Sequence, residues 1–205
     1  LFRSGMNLIH LEKVIQETPK AKFIYVIPDF QNPSGRTWSA ERRQGLVDIA
    51  NRYNLVIVED NPYGELVFEA KTLDAVKSYD TEGRVIYLGT YSKTFSPGIR
   101  IGWVLASPEI LNKYIMVKQG ADLQSSSMSQ RELNMYLDLY DFDAHIDSIK
   151  TVYKKRRDLM METIKAEFPE SVTYIMPTGG LFAWVELPDR KSVVEGKSVF
   201  LGGGR

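Results

Sequence analysis

The chain has 205 residues, 43% of them apolar, and its 26 basic side chains balance 26 acidic ones. That balance excludes the charge excess with which a protein grips nucleic acid. It has no cysteine and only two histidines, His10 and His145, which excludes disulfides, thiolate chemistry and Cys- or multi-His metal sites. No apolar run approaches the ~20 residues of a membrane span.

The start, LFRSGMNLIH, has no initiator Met and no signal-peptide layout, and reads as beginning inside a longer protein. KFIYVI (22–27) is a nearly continuous apolar run, as in a strand buried on both faces of a parallel sheet. NLVIVED (54–60) and RVIYLGT (84–90) repeat the pattern, and RIGWVLA (100–106) is a fourth strand. Between the first two, Leu46, Val47, Ile49, Ala50 and Tyr53 form one apolar stripe. They predict a helix over 39–53 capped by Ser39. The unit is β-α-β, with a right-handed crossover.

Ser107-Pro108 opens another helix, with Pro at its first position; its apolar residues, Tyr114 and Met116 among them, read as core. A helix is predicted over 129–139. A long one follows over 142–168, where Phe142, Ile146, Ile149, Tyr153, Met160, Ile164 and Phe168 recur mostly at three- and four-residue steps. Its KKRRD run (154–158) reads as a solvated face, and His10 and His145 as ordinary surface or satisfied histidines. VTYIM and LFAWVEL then read as strands around the turn PTGG. The last fifteen residues, KSVVEGKSVFLGGGR, have few apolar anchors and read as weakly ordered or foreign to the fold.

Ligands of open α/β sheets sit beyond the carboxyl ends of the strands. There the sequence sets Asn32 in a Pro-Ser-Gly turn, Asp60 and Tyr63 in EDNPYGE, Thr90, Ser92 and Lys93 in TYSK, and then Arg100. A lysine amine forms a Schiff base with an aldehyde once it loses its proton. Its ordinary pKa is about 10.4, and a nearby cation such as Arg100 and partial burial lower it. Arg100, Thr90 and Ser92 are donors for a phosphate. Asp60 suits a protonated ring nitrogen: unit charges ~4 Å apart attract by about 4 kcal/mol at an effective dielectric near 20, enough to decide whether the ring carries a proton. Tyr63 and Asn32 suit a ring phenolate. Aldehyde, phosphate, ring nitrogen and phenolate together describe pyridoxal 5′-phosphate (PLP). Each residue also has a plainer reading. Asn32 sits in a turn, Asp60 caps NPYGE, Tyr63 packs, Thr90 and Ser92 serve the turn backbone, and Lys93 or Arg100 is a surface charge.

NPSG, EDNPY and YSKTFSPGIRIGW, in this order and spacing, resemble the fold-type I PLP-dependent aminotransferases of class I/II over roughly residues 5–189. QNPSG, KQGADL and PTGGLFAWVELP look closest to the 2-aminoadipate and aromatic aminotransferase branch. The resemblance implies an α/β fold. Residues 1–145 would be the C-terminal part of the PLP-binding large domain, 146–190 the beginning of a small C-terminal domain, and 191–205 a tail outside the family pattern. It implies Lys93 as the PLP-bearing, catalytic lysine, Asp60 at the pyridine nitrogen, and Asn32 and Tyr63 at O3′, with Asn32 also near the substrate carboxylate. Thr90, Ser92 and Arg100 would hold the phosphate. It implies a ping-pong transamination between an amino acid, 2-aminoadipate or aromatic, and a 2-oxo acid such as 2-oxoglutarate, in a cytoplasmic homodimer. A carbon–sulfur β-lyase and an aminotransferase-like sensor of a transcription regulator are the alternatives. The family's N-terminal half and its C-terminal substrate-binding arginine have no match here. A fragment is therefore expected, binding PLP weakly and transaminating poorly.

Overall fold

In the computed structural model, residues 5–69 and 71–187 are described. The expected tail (191–205) lies outside them. The element order is α1 (Leu8–Glu17), β1 (Phe23–Val26), α2 (Ala40–Tyr53), β2 (Val56–Asp60), β3 (Val85–Thr90), β4 (Gly102–Leu105), α3 (Pro108–Ala121), α4 (Ser127–Leu139), α5 (Phe142–Glu167), β5 (Thr173–Tyr174) and β6 (Val185–Glu186). β1 to β4 form one sheet in that order, and β5 pairs with β6 antiparallel in a second, small sheet. The β1–α2–β2 unit, the capped helix and the long α5 match the sequence reading. Ser39 Oγ accepts from Arg42 N at 3.4 Å, and Asn54 ends α2 in the left-handed conformation that an Asn tolerates.

β1 pairs with β2, and β2 with β3, in parallel; β4 is antiparallel to β3. Residues 91–101 between them hold a single short 3-10 turn, Pro97–Ile99, and no helix, whereas a parallel crossover needs a dozen or more residues and usually a helix. The strand predicted over 100–106 therefore begins only at Gly102, and Arg100 stands before it in a left-handed conformation.

Side chains alternate across this sheet. Ile24, Val26, Ile57 and Val85 face α2, where they join Leu46, Val47, Ile49 and Ala50 in the core. The other face carries Phe23, Tyr25, Val58, Asp60, Leu88 and Thr90 by register. β1 is thus buried on one face only: Phe23 is 61% and Tyr25 50% exposed. A continuous apolar run does not reveal which face a helix covers. The apolar residues of α3 are not core either. None of the helix is buried, and Tyr114 and Met116 are exposed. Ile115, Met116 and Val117 are consecutive, so they spread around the helix and make no single stripe.

Two ionic contacts fix the layout. Arg43 is fully buried and donates to both oxygens of Asp29, at 3.0 and 2.6 Å, and to the carbonyls of Trp38 and Asp74. Asn61 Nδ2 donates to the same Asp29 at 3.3 Å. This joins the loop after β1 to α2 and to the end of β2. The charged run of α5 is not wholly a solvated face. Arg157 is 8% exposed and donates to Glu69, to Asp158 and to the Pro177 carbonyl. Its partner Glu69 lies 88 residues away, so no local pattern announces it. Around PTGG, Gly180 N donates to Leu66 O, and a Cβ on Gly180 (φ +72) would lie 2.3 Å from Phe30 Cβ. Glycine is required there by both conformation and space.

Breaking a buried pair from one side leaves an unpaired charge. Asp29→Ala is expected to lose about 3–5 kcal/mol of unfolding free energy in a denaturant titration, whereas Asp29→Leu with Arg43→Met recovers most of the loss.

Candidate active site

The candidate residues occupy the carboxyl ends of β1, β2 and β3 and the entry to β4. Asp60 ends β2 and is in register with Leu88 on β3, one strand spacing away, about 4.8 Å. Two residues further along β3, Thr90 pairs with Gly102, and the Lys93 turn leaves the sheet. Asp60 and Thr90 share one face, because their register positions differ by two.

The turn carrying Asn32 is held from inside. Gln31 Oε1 accepts from Ser34 N at 3.0 Å and from Ser34 Oγ at 2.6 Å, and Gly35 N donates to Gln31 O. Gly35 has φ +66, and a Cβ there would lie 2.7 Å from the Phe182 carbonyl. Asn32 itself is exposed and near enough to Tyr63 to bear on its phenol. Tyr63 is buried and edge-on to Phe182, with ring centroids 5.3 Å apart. Burial pushes the Tyr63 phenol above its ordinary pKa; the Asn32 side chain opposes this and the nearby Asp60 charge adds to it. Tyr63 is therefore a phenol donor at neutral pH, beside both Asn32 and Asp60.

Asp60 does not cap the loop that follows it. Asn61 does, its Oδ1 accepting from Gly64 N at 2.9 Å. The Asp60 carboxylate instead accepts from Tyr25 OH at 2.6 Å through Oδ2, and Oδ1 has no hydrogen bond among the described residues.

The Lys93 turn is pinned at both ends. Tyr91 N donates to Ile101 O, and Phe95 N and Ser96 N both donate to Tyr91 O. Thr90 Oγ1 accepts from Ser92 N and donates to Ile101 O at 3.4 Å, so this hydroxyl serves the turn backbone. Ser92 Oγ makes no hydrogen bond among the described residues. Arg100 is exposed, and among the described residues its guanidinium donates only to the Pro97 carbonyl, at 3.3 Å. Lys93 is half-buried and without an ion pair among the described residues.

Behind the turn stands an aromatic cluster from α4 and α5. Phe95 packs on Tyr136 at 4.6 Å, Tyr91 on Phe142 at 6.0 Å, and His145 stacks on Phe142. His145 Nε2 donates to the Thr94 carbonyl at 3.0 Å, crossing 51 residues of sequence. The histidine is satisfied, and it also holds the residue next to Lys93. A lone histidine in a helix gives no local sign of that partner. Tyr25 was equally hidden, since as a strand residue it reads as packing; its only signal is that it shares a face with Asp60.

Residues 3–201 match the family described as aminotransferase class I and II. The chain belongs to that family. It is 43% identical over 189 residues to aromatic-amino-acid aminotransferase 1 of Thermococcus litoralis, covering 90% of this chain and 45% of that protein. To the 2-aminoadipate transaminase of Thermus thermophilus it is 36% identical over 187 residues, covering 90% and 47%. The crystal structure of Pyrococcus horikoshii kynurenine aminotransferase superposes with a TM-score of 0.87 at 41% identity, over 91% of this chain and 47% of that one. The fold is thus that of the fold-type I aminotransferases, a mixed α/β sheet flanked by helices. The chain spans about half the length of these relatives. Among the described residues no helix is long and apolar enough to cross a membrane.

His145→Ala removes one hydrogen bond and one aromatic partner. A loss of about 1–2 kcal/mol is expected, with faster hydrogen exchange at the Phe95 and Ser96 amides while the amides of β1 and β2 change little.

Proposed function

We propose that this chain carries the cofactor-binding centre of a PLP-dependent aminotransferase, with Lys93 as the lysine that bonds the cofactor. The family is PLP-dependent, and the donor set fits the molecule. The observation that carries the reading is the placement of Asp60, whose Oδ1 has no hydrogen bond among the described residues, and of Thr90, which leads into the Lys93 turn, at the ends of adjacent strands and on one face of the sheet. PLP bound there would supply an electron sink for the charge left when an amino acid loses its α-proton.

In this reading Asp60 Oδ1 faces the ring nitrogen and keeps it protonated. The Tyr63 phenol and the Asn32 amide, which lie close to one another, would donate to the ring phenolate oxygen. Ser92 Oγ and the Arg100 guanidinium take the phosphate, while Thr90 keeps the turn in shape through Ser92 N and Ile101 O. Lys93 Nζ would hold the cofactor through its aldehyde, with loss of water, and as a free amine it would be the group placed to move a proton at the substrate α-carbon. The relatives' names favour an aromatic amino acid or 2-aminoadipate as donor; the acceptor in this reading is a 2-oxo acid such as 2-oxoglutarate. A homodimer in the cytoplasm completes the proposal.

Incubation with PLP, borohydride reduction and peptide mass spectrometry test it. One phosphopyridoxyl group on Lys93, absent from Lys93→Ala, is expected. Equal labelling of several surface lysines, or unchanged labelling of Lys93→Ala, would overturn it.

A further inference from the structure

Tyr25 lies on β1 in register with Val58 of β2, so Asp60 is its diagonal neighbour, two residues on and on the same face. A phenol is long enough to reach across that diagonal, and here the hydroxyl meets Asp60 Oδ2 at 2.6 Å. The length is that of a charge-assisted O–H···O⁻ bond. Burial does not account for the residue, since Tyr25 is 50% exposed, and its ring stacks on no other aromatic ring among the described residues. It lines a cavity of about 310 Å³ together with Gln31 and Ser34, the two side chains that shape the Asn32 turn.

We propose that Tyr25 is a positioning residue for Asp60: its hydroxyl holds Oδ2, fixes the carboxylate's orientation and leaves Oδ1 for the cofactor's ring nitrogen. This rests on the reading of Asp60 given above. A carboxylate at a strand end is otherwise free to rotate, and ordering it costs free energy each time a ligand binds. Tyr25 removes that cost before binding. The phenol stays a donor throughout the neutral range, because its pKa is pushed up to about 12, by burial first, then by the Asp60 hydrogen bond and charge and the neighbouring Tyr63.

The test follows the fraction of Lys93 trapped by borohydride as PLP is raised, in wild type, Tyr25→Phe, Asp60→Ala and the double variant, with unfolding followed without PLP. Tyr25→Phe is expected to raise the half-saturating PLP concentration about tenfold, near the low end for a hydrogen bond to a charged group, and to leave unfolding unchanged. Asp60→Ala is expected to raise it further, and the double variant to match Asp60→Ala, because Tyr25 then has nothing to position. If Tyr25→Phe weakens trapping by the same factor with or without Asp60, Tyr25 acts independently and the proposal falls. If Asp60→Ala weakens trapping and Tyr25→Phe does not, the proposal falls while the role of Asp60 stands. If Asp60→Ala has no effect, the reading of Asp60 fails, and the role of Tyr25 fails with it.

Discussion

The geometry of the site depends first on a buried ion pair outside it. Asp29 and Arg43 are almost wholly removed from water, and each satisfies the other through two hydrogen bonds. Arg43 also donates to the Trp38 and Asp74 carbonyls, and Asp29 accepts from Asn61 as well. Such a pair contributes modestly to net stability, since desolvation offsets its attraction. Its geometric effect is larger. It ties the start of the Asn32 loop to α2 and to the residue after Asp60, so the ends of β1 and β2 keep a fixed relation. Loops at strand ends are ordinarily the mobile part of an α/β fold; these are fastened from beneath.

The sheet separates structural from chemical work by face. Glu59 and Asp60 are neighbours in sequence and point to opposite sides. Glu59 is buried, accepts from the Val76 and Lys77 amides at 2.8 Å each, and its carboxyl is shifted upward by burial. It satisfies the start of a helical turn and is unavailable to a ligand. Asp60 is half-buried on the face that also bears Tyr25 and Thr90, with one oxygen unengaged among the described residues. Two acidic residues in a row thus have different uses only because strand geometry alternates.

Much of this was legible locally. The helix cap at Ser39, the opening of α3 at Pro108 and the length of α5 follow from short-range rules of spacing and capping, and the structure has them. The motifs at the strand ends pointed to the family because their residue types suit one ligand, and the chain belongs to that family. What escaped depends on contacts between distant parts of the chain. Arg157 finds Glu69 across 88 residues, His145 finds Thr94 across 51, and Tyr25 finds Asp60 across 35. Periodicity says which residues share a face, not what lies opposite. For the same reason the exposure of Phe23 and of α3 could not be read from hydrophobicity, which marks a surface as coverable without showing what covers it.

Each part of the site has its own support, and the supports come from different parts of the fold. Asn32 is held by Gln31 and the backbone near Phe182; Asp60 by Tyr25; the Lys93 turn by Tyr91, Phe95 and His145. The first draws on the segment before β6, the second on a neighbouring strand, the third on α4 and α5. Lys93 and Arg100 themselves are left lightly engaged. The backbone and aromatic rings around Lys93, by contrast, are held by several contacts.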